Sequence, residues 1–259
     1  MNDSLSNFLQ VGEQAARAGG AVLQSWLGKF QTREKAPADL VTDADLASQQ
    51  AIHQLLTTAF PDHGFLGEEQ QGVDRPGEYR WIVDPLDGTT NYVHQLPNYC
   101  VSIALEHLGQ AIVAVVFDPT WNECYTAIRG RGAHLNGRAL QASNIRQLSA
   151  ALVACSFPAQ VQPGAPEIAV FLEVLYRAQA IRRMGSAALN LCHLAAGRFD
   201  GYWTGDTKTW DVAAGALIVT EAGGVLTCLD GTPFDHAVPR FLAASTPELH
   251  AEMLALVRT

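Results

Sequence analysis

Apolar residues recur on one helical face through residues 4–27: Leu5, Phe8, Leu9, Ala15, Ala16, Val22, Leu23, Trp26 and Leu27. That period predicts an amphipathic amino-terminal helix. Residues 28–41 are polar and broken by Pro37, and read as a loop with extended ends. A second helical pattern covers 44–59. Short apolar runs then predict strands at 80–83, 100–106, 111–117 and 123–128, with a hairpin turn at Asn136-Gly137. Beyond it come a strand near 150–156, a helix over 166–179, a short strand at 180–183 and a helix over 186–196. Tyr202 and Trp203 mark another short strand. A helix over 211–222 stops at Gly223-Gly224. A strand at 225–229 turns at Asp230-Gly231, and a further strand covers 240–244. The last helix opens with Thr246 as its cap and Pro247 in its first turn. Strands and helices in mixed order, joined by several hairpins, predict layered α/β packing (of α+β character), not a simple doubly wound sheet. No internal repeat or low-complexity segment interrupts the pattern.

Composition narrows the classes. A chain of 259 residues, 48% of them apolar, buries a sizeable core as one large domain or two halves. The formal charge of −9 argues against a nucleic-acid or anionic membrane surface, which needs a basic patch. Five scattered cysteines (Cys100, Cys124, Cys155, Cys192 and Cys228) form no CxxC pair, and read as free thiols in a reducing compartment. No signal-peptide pattern is visible and the apolar runs are too short for a membrane span. The expectation is a cytoplasmic protein.

The chemistry concentrates in Trp81-Ile-Val-Asp84-Pro85-Leu86-Asp87-Gly88-Thr89-Thr90-Asn91. Asp84 and Asp87 stand three residues apart, with no lysine or arginine in the stretch. Two ionised carboxylates about 4 Å apart repel by roughly 4 kcal/mol at an effective dielectric near 20. Such crowding calls for a retained proton or an intervening cation. The turn also offers backbone carbonyls, and Mg²⁺ favours oxygen ligands. A Mg²⁺ site at a strand end follows as the first expectation, although Asp, Pro and Gly also form turns for purely structural reasons.

Three further acidic groups sit at element boundaries: Gly67-Glu68-Glu69, Asp39-Leu-Val-Thr42-Asp43-Ala-Asp45, and Trp210-Asp211-Val-Ala-Ala-Gly215. Each has a plainer explanation. Glu68 and Glu69 fit a solvated loop edge, Asp45 fits a capping box with Thr42, and Asp211 suits a helix amino terminus. Taken together, they suit loops converging on one cleft.

Asp84-Pro-Leu-Asp-Gly-Thr89 resembles the first signature of the inositol monophosphatase family, and Trp210–Gly215 with Ala222-Gly-Gly224 resembles its second. Gly67-Glu-Glu69, the Asp39–Asp45 segment and Arg183-Met-Gly-Ser-Ala-Ala188 resemble three more of its motifs, in the family's order from about residue 5 to residue 257. The resemblance implies a sugar-phosphatase (inositol monophosphatase/fructose-1,6-bisphosphatase-like) fold, a layered αβαβα sandwich. It implies one domain over 1–259, with a metal-motif half of about 1–145 and a substrate half of 146–259, and usually a homodimer. It further implies two or three Mg²⁺ ions: Glu68, Asp84 and the Leu86 carbonyl on the first, Asp84, Asp87 and Asp211 on the second, and a weaker third near Glu68. Millimolar sensitivity to Li⁺ belongs to the same implication.

A phosphate monoester carries about two negative charges, so five nearby carboxylates oppose its binding unless dications intervene. On the family's pattern, the metals neutralise, orient the ester and lower the pKa of a bound water. Thr89 orients that water, Asp45 accepts the Thr89 hydroxyl, and Glu68 or Glu69 assists. Gly88 and Thr89 N–H groups hold phosphate oxygens, with no covalent phospho-enzyme. Asp87, Asp211, Gly185, Ser186 and Ala187 line the polyol pocket by resemblance. Inositol-specific relatives carry glutamate seven residues before the second-signature aspartate, where this chain has Thr204. Threonine lacks that carboxylate, so histidinol phosphate, fructose 1,6-bisphosphate or a nucleotide phosphate stand beside inositol-1-phosphate as expected substrates. Asp206 is a candidate compensator; Arg182, Arg183 and Lys208 are candidates for a second phosphate. His94, Cys192 and His193 read as structural, Lys35 as part of a loop near the third metal, and Trp81, Tyr99, Trp121 and Trp203 as core or interface anchors. A regulatory protein that keeps the fold and binds a partner is the expectation from another class.

Overall fold

The computed structural model describes residues 2–36, 39–69 and 77–258. Pro37 lies outside them. Helix α1 (Asn2–Trp26) is followed by strands β1 (Thr32–Ala36) and β2 (Asp39–Thr42) and by α2 (Asp43–Ala59). Strands β3 (Gly64–Gly67) and β4 (Tyr79–Asp87) lead to the short α3 (Thr89–Val93). Strands β5 (Cys100–His107), β6 (Gln110–Asp118), β7 (Glu123–Ile128), β8 (Ala133–Leu135) and β9 (Arg138–Ala139) complete the first half. The second half runs β10 (Leu152–Ser156), α4 (Pro166–Leu175), β11 (Ala180–Arg182), α5 (Ala187–Ala195), β12 (Gly201–Thr204), α6 (Thr209–Glu221), β13 (Val225–Cys228), β14 (Phe241–Ala244) and α7 (Pro247–Val257).

Five layers result. A seven-stranded sheet in the order β3-β4-β5-β6-β7-β8-β9 carries α1 and α2 on one face and α6, with α5, on the other. A five-stranded sheet, β11-β10-β12-β14-β13, closes over α5 and α6 and is backed by α4 and α7. The α5–α6 layer is therefore buried on both sides. Every residue of α6 from Val212 to Val219 is buried, as befits a helix without a polar face. The αβαβα sandwich is the layering expected.

The elements differ from expectation in places with physical causes. Within the polar 28–41 segment, β1 and β2 pair antiparallel, with Thr32 facing Thr42 and Glu34 facing Leu40. Strand β4 runs on through the Asp84–Asp87 motif, with a break in register against β5 between Asp84 and Asp87. That irregularity turns the two carboxylates away from strict alternation. Helix α4 stops at Leu175, four residues early, because Gln179 donates its N–H to Ala151 and starts β11 along the edge of β10. The Asn136-Gly137 turn joins β8 to β9 with both residues at positive φ. Of the aromatic anchors, Trp81, Tyr99 and Trp203 are core residues, whereas Trp121 is 68% exposed. No helix among the described residues is long and apolar enough to cross a membrane.

Candidate active site

Asp84 lies at the carboxyl end of β4, almost fully buried, with its Oδ1 accepting the Leu86 N–H at 2.9 Å. Asp87, three residues on, is held by the amino terminus of α5. It accepts Ser186 Oγ at 2.6 Å, the Ala188 N–H at 2.7 Å and the Ala187 N–H at 3.3 Å. Ser186 caps the same helix by accepting the Leu189 N–H at 3.2 Å. Asp211 enters from the first turn of α6, where one oxygen accepts the Lys208 N–H at 2.8 Å. The capping role and the site role of Asp211 therefore coexist.

Burial drives the electrostatics. It pushes Asp84 well above the usual carboxylate range, with further upward pressure from Glu68, Asp87 and Asp211. Asp211 rises for the same first reason, then through the Asp87 charge. Asp87 is raised to about 6, by burial first, while Ser186, Ala188 and Ala187 pull it back down. These carboxylates press on one another and need a proton or a cation.

The donor chemistry fits a hard dication: several buried carboxylate oxygens beside the Leu86 carbonyl, at a strand end open to a cleft. Among the described residues, no three His, Cys, Asp or Glu side chains have already closed on a common point.

Thr89 opens α3. Its hydroxyl lies 3.1 Å from the Leu86 carbonyl and 3.4 Å from Asp45 Oδ1. Asp45 is fully buried, and its other oxygen accepts the Thr42 N–H at 2.9 Å and the Thr42 hydroxyl at 2.5 Å, completing the capping box of α2. Between Asp87 and Thr89, Gly88 takes a φ of 95°, and a Cβ there would stand 2.9 Å from the Asn98 carbonyl. Only glycine makes that turn. Glu68 continues β3, its N–H bonded to the Val83 carbonyl at 3.1 Å, and the Glu69 N–H donates to Gln49 Oε1 at 3.0 Å.

A cleft of about 450 Å³ opens over this group, bordered by Asp87, Gly88, Thr89, Gly185, Ala187 and Asp211. Ser186 lies beneath it, buried. Thr204 is also fully buried, and its hydroxyl engages the Asp206 backbone on both sides, at 3.2 and 3.3 Å, so it shapes the Asp206 turn from below the cleft wall. Asp206, Thr207 and Arg183 reach the cleft, and Arg183 stacks 5.5 Å from the centre of the Phe157 ring. His94 caps α3 from the exposed side, and His193 is a packing residue lowered to about 4 by burial and by Arg198.

Several residues that hold the site carry no motif. Asn91 Nδ2 donates to the Asn98 carbonyl at 2.7 Å and to the Met184 carbonyl at 2.8 Å, and Asn98 Nδ2 reaches Met184 at 3.0 Å. This clamp fixes the 183–187 segment against α3. Ser48 Oγ donates to the Pro85 carbonyl at 3.0 Å and fixes the motif's turn on α2. The sequence signal for Asn91 was its place two residues after the first signature.

The chain is 43% identical over 231 residues to an inositol-1-monophosphatase of Rhizobium meliloti, covering 87% of each chain. It is 38% identical over 255 residues to the Nus factor SuhB of Pasteurella multocida, covering 96% of this chain and 95% of that one. The crystal structure of the extragenic suppressor protein suhB from Bartonella henselae superposes with a TM-score of 0.93 at 35% identity, over 98% of this chain and 99% of that one. The model of the inositol monophosphatase family matches residues 4–259. The chain belongs to the inositol monophosphatase family and is a phosphoric monoester hydrolase.

Proposed function

We propose that the protein hydrolyses inositol-1-phosphate or a similar small polyol phosphate, with Mg²⁺ held by Glu68, Asp84, the Leu86 carbonyl, Asp87 and Asp211. The observation that carries this reading is the placement of Thr89 between Asp45 and the Leu86 carbonyl, at the edge of a cleft floored by mutually repelling carboxylates. The metal supplies charge neutralisation, ester orientation and activation of water.

The chain's own residues do the rest. The Thr89 hydroxyl has two acceptors, Asp45 Oδ1 and the Leu86 carbonyl, and a cation held at that carbonyl would leave the proton to Asp45. The Thr89 hydroxyl oxygen then faces the cleft as an acceptor that orients water, with Glu68 or Glu69 assisting. Gly88 and Thr89 N–H groups receive phosphate oxygens at the start of α3. Gly185 and Ala187 border the ring of the substrate, with Ser186 holding Asp87 in place. Thr204, with no carboxylate, sets selectivity through the Asp206 turn. Water attacks phosphorus directly, without a phospho-enzyme.

The same chemistry on histidinol phosphate, fructose 1,6-bisphosphate or a nucleotide phosphate is the alternative. Asp206 in the cleft supports a substrate amine, and Arg183 a second phosphate. Phosphate release from a panel of these esters, with and without Mg²⁺, separates the readings. Release that ignores Mg²⁺ sinks the metal assignment, and millimolar Li⁺ is expected to inhibit.

The chain is further proposed to form one domain over 1–259, in a cytoplasmic homodimer. The exposed row Ile168, Leu172, Leu175 and Tyr176 on and just after α4 supports a dimer contact. Light scattering on Tyr176→Asp tests it, a monomeric wild type being the contrary result. The SuhB name of a relative 38% identical supports a second role in partner binding, tested by capture of purified Nus proteins.

A further inference from the structure

Along α6, from Ala213 to Thr220, lies a second cavity, of about 570 Å³. It is larger than the active-site cleft and touches none of the residues placed in catalysis. Three of its walls are built. Arg129 stands on one, its guanidinium plane fixed by an Nε donation to the Ala111 carbonyl at 2.7 Å. Asp235 stands on another, one oxygen accepting the Ala237 N–H at 2.8 Å. Leu217, Leu226 and Phe234 form an apolar surface on the third.

The loop that carries Asp235 is anchored deeply. The neighbouring His236 is buried and lies 2.9 Å from Glu106 Oε2, while Glu106 Oε1 accepts Arg80 Nε at 2.7 Å. Glu106 and Arg80 face each other across β5 and β4. The Asp235 wall is thus tied to the seven-stranded sheet by a buried chain of charge-assisted bonds. Neither Arg129 nor Asp235 has an ion-pair partner among the described residues, and they do not pair with each other.

Opposite charges that line one cavity without pairing, with apolar residues beside them, are complementary to one kind of small molecule. We infer that this cavity binds a zwitterion of the amino-acid class with an apolar side chain. Its carboxylate meets the Arg129 fork, which suits planar oxyanions. Its ammonium meets the Asp235 carboxylate. Its side chain packs on Leu217, Leu226 and Phe234.

Calorimetric titration of the full chain with leucine and phenylalanine tests the assignment. Saturable binding is expected, weakened at least about tenfold for the amino-acid amides, which lack the carboxylate, and for the N-acetyl derivatives, which lack the ammonium. Arg129→Gln, and Asp235→Asn, which keeps the acceptor for Ala237, are each expected to weaken binding by the same factor and to leave phosphate release unchanged. Absence of saturable binding, equal binding of the uncharged derivatives, or binding that survives both substitutions overturns the inference. The derivative comparison uses the wild-type protein and so does not depend on a variant's folding.

Discussion

Asp45 divides its two oxygens between two tasks: Oδ2 holds the Thr42 backbone at the start of α2, and Oδ1 lies 3.4 Å from the Thr89 hydroxyl. Stability and chemistry therefore draw on one side chain. Thr89→Val removes only the chemical partner and is expected to lower kcat by about 10²–10⁴, the range of a positioned proton acceptor, with the melting temperature nearly unchanged. Asp45→Ala is expected to lower both, losing about 1 kcal/mol with the cap. Paired kinetics and denaturation check this. Equal loss of stability in the two variants contradicts the division of roles.

Asp84 is buried among acids that repel it. Asp84→Asn removes a charge and a metal donor together. Mg²⁺-dependent turnover is expected to vanish, while the chelator-treated variant is at least as stable as the wild type at neutral pH. Retention of most activity places the metal elsewhere.

Burial gives the metal-free protein an unusual pH dependence. Asp87 is raised from 3.8 to about 6, so the folded state binds its proton more tightly than the unfolded chain does. Its contribution to stability is complete below pH 3.8 and is lost as pH rises to about 6, a change of about 3 kcal/mol. Asp84 and Asp211 act in the same direction. Urea titrations of chelator-treated protein at about pH 4 and about pH 7 test the sign. Added Mg²⁺ is expected to reverse the loss at the higher pH and to release protons. Stability that climbs from acid to neutral pH in the chelated protein contradicts the raised values.

Thr204 supports the cleft without lining it. Thr204→Val removes both bonds to the Asp206 backbone at nearly constant volume. KM is expected to rise several-fold with kcat little changed, since the turn carries binding and not reacting groups. A fall in kcat at constant KM places Thr204 nearer the chemistry.

Strong local signals made much of this molecule legible. Thr246-Pro247 and Gly223-Gly224 bound helices where their capping chemistry predicts, and the runs of β5, β6 and β7 carry enough apolar residues to declare themselves. Strand β3 did not, because Gly64–Gly67 is four residues long and exists by pairing with Arg80–Val83. Helix α3 is too short for any period to show. The paired strands β1 and β2 are largely polar, so no apolar alternation announces them. In the site, the carboxylates were visible because their crowding is written along the chain. Asn91, Asn98 and Ser48 were not, since their partners are backbone carbonyls and one of these, at Met184, lies 93 residues from Asn91. The burial of Thr204 follows from the register of β12 against β10 and β14, which no motif encodes.

The grip of Ser186 and Ala188 on Asp87 spans 99 and 101 residues of chain. Contacts that distant cost loop-closure entropy before they return anything, and they slow folding. The acidic pocket is thus expected to be among the last parts of the molecule to assemble, after each sheet has formed. A cation that binds only the finished pocket stabilises the end of the pathway and not its barrier. In stopped-flow experiments, Mg²⁺ should leave the refolding rate almost untouched and lengthen the lifetime of the folded state.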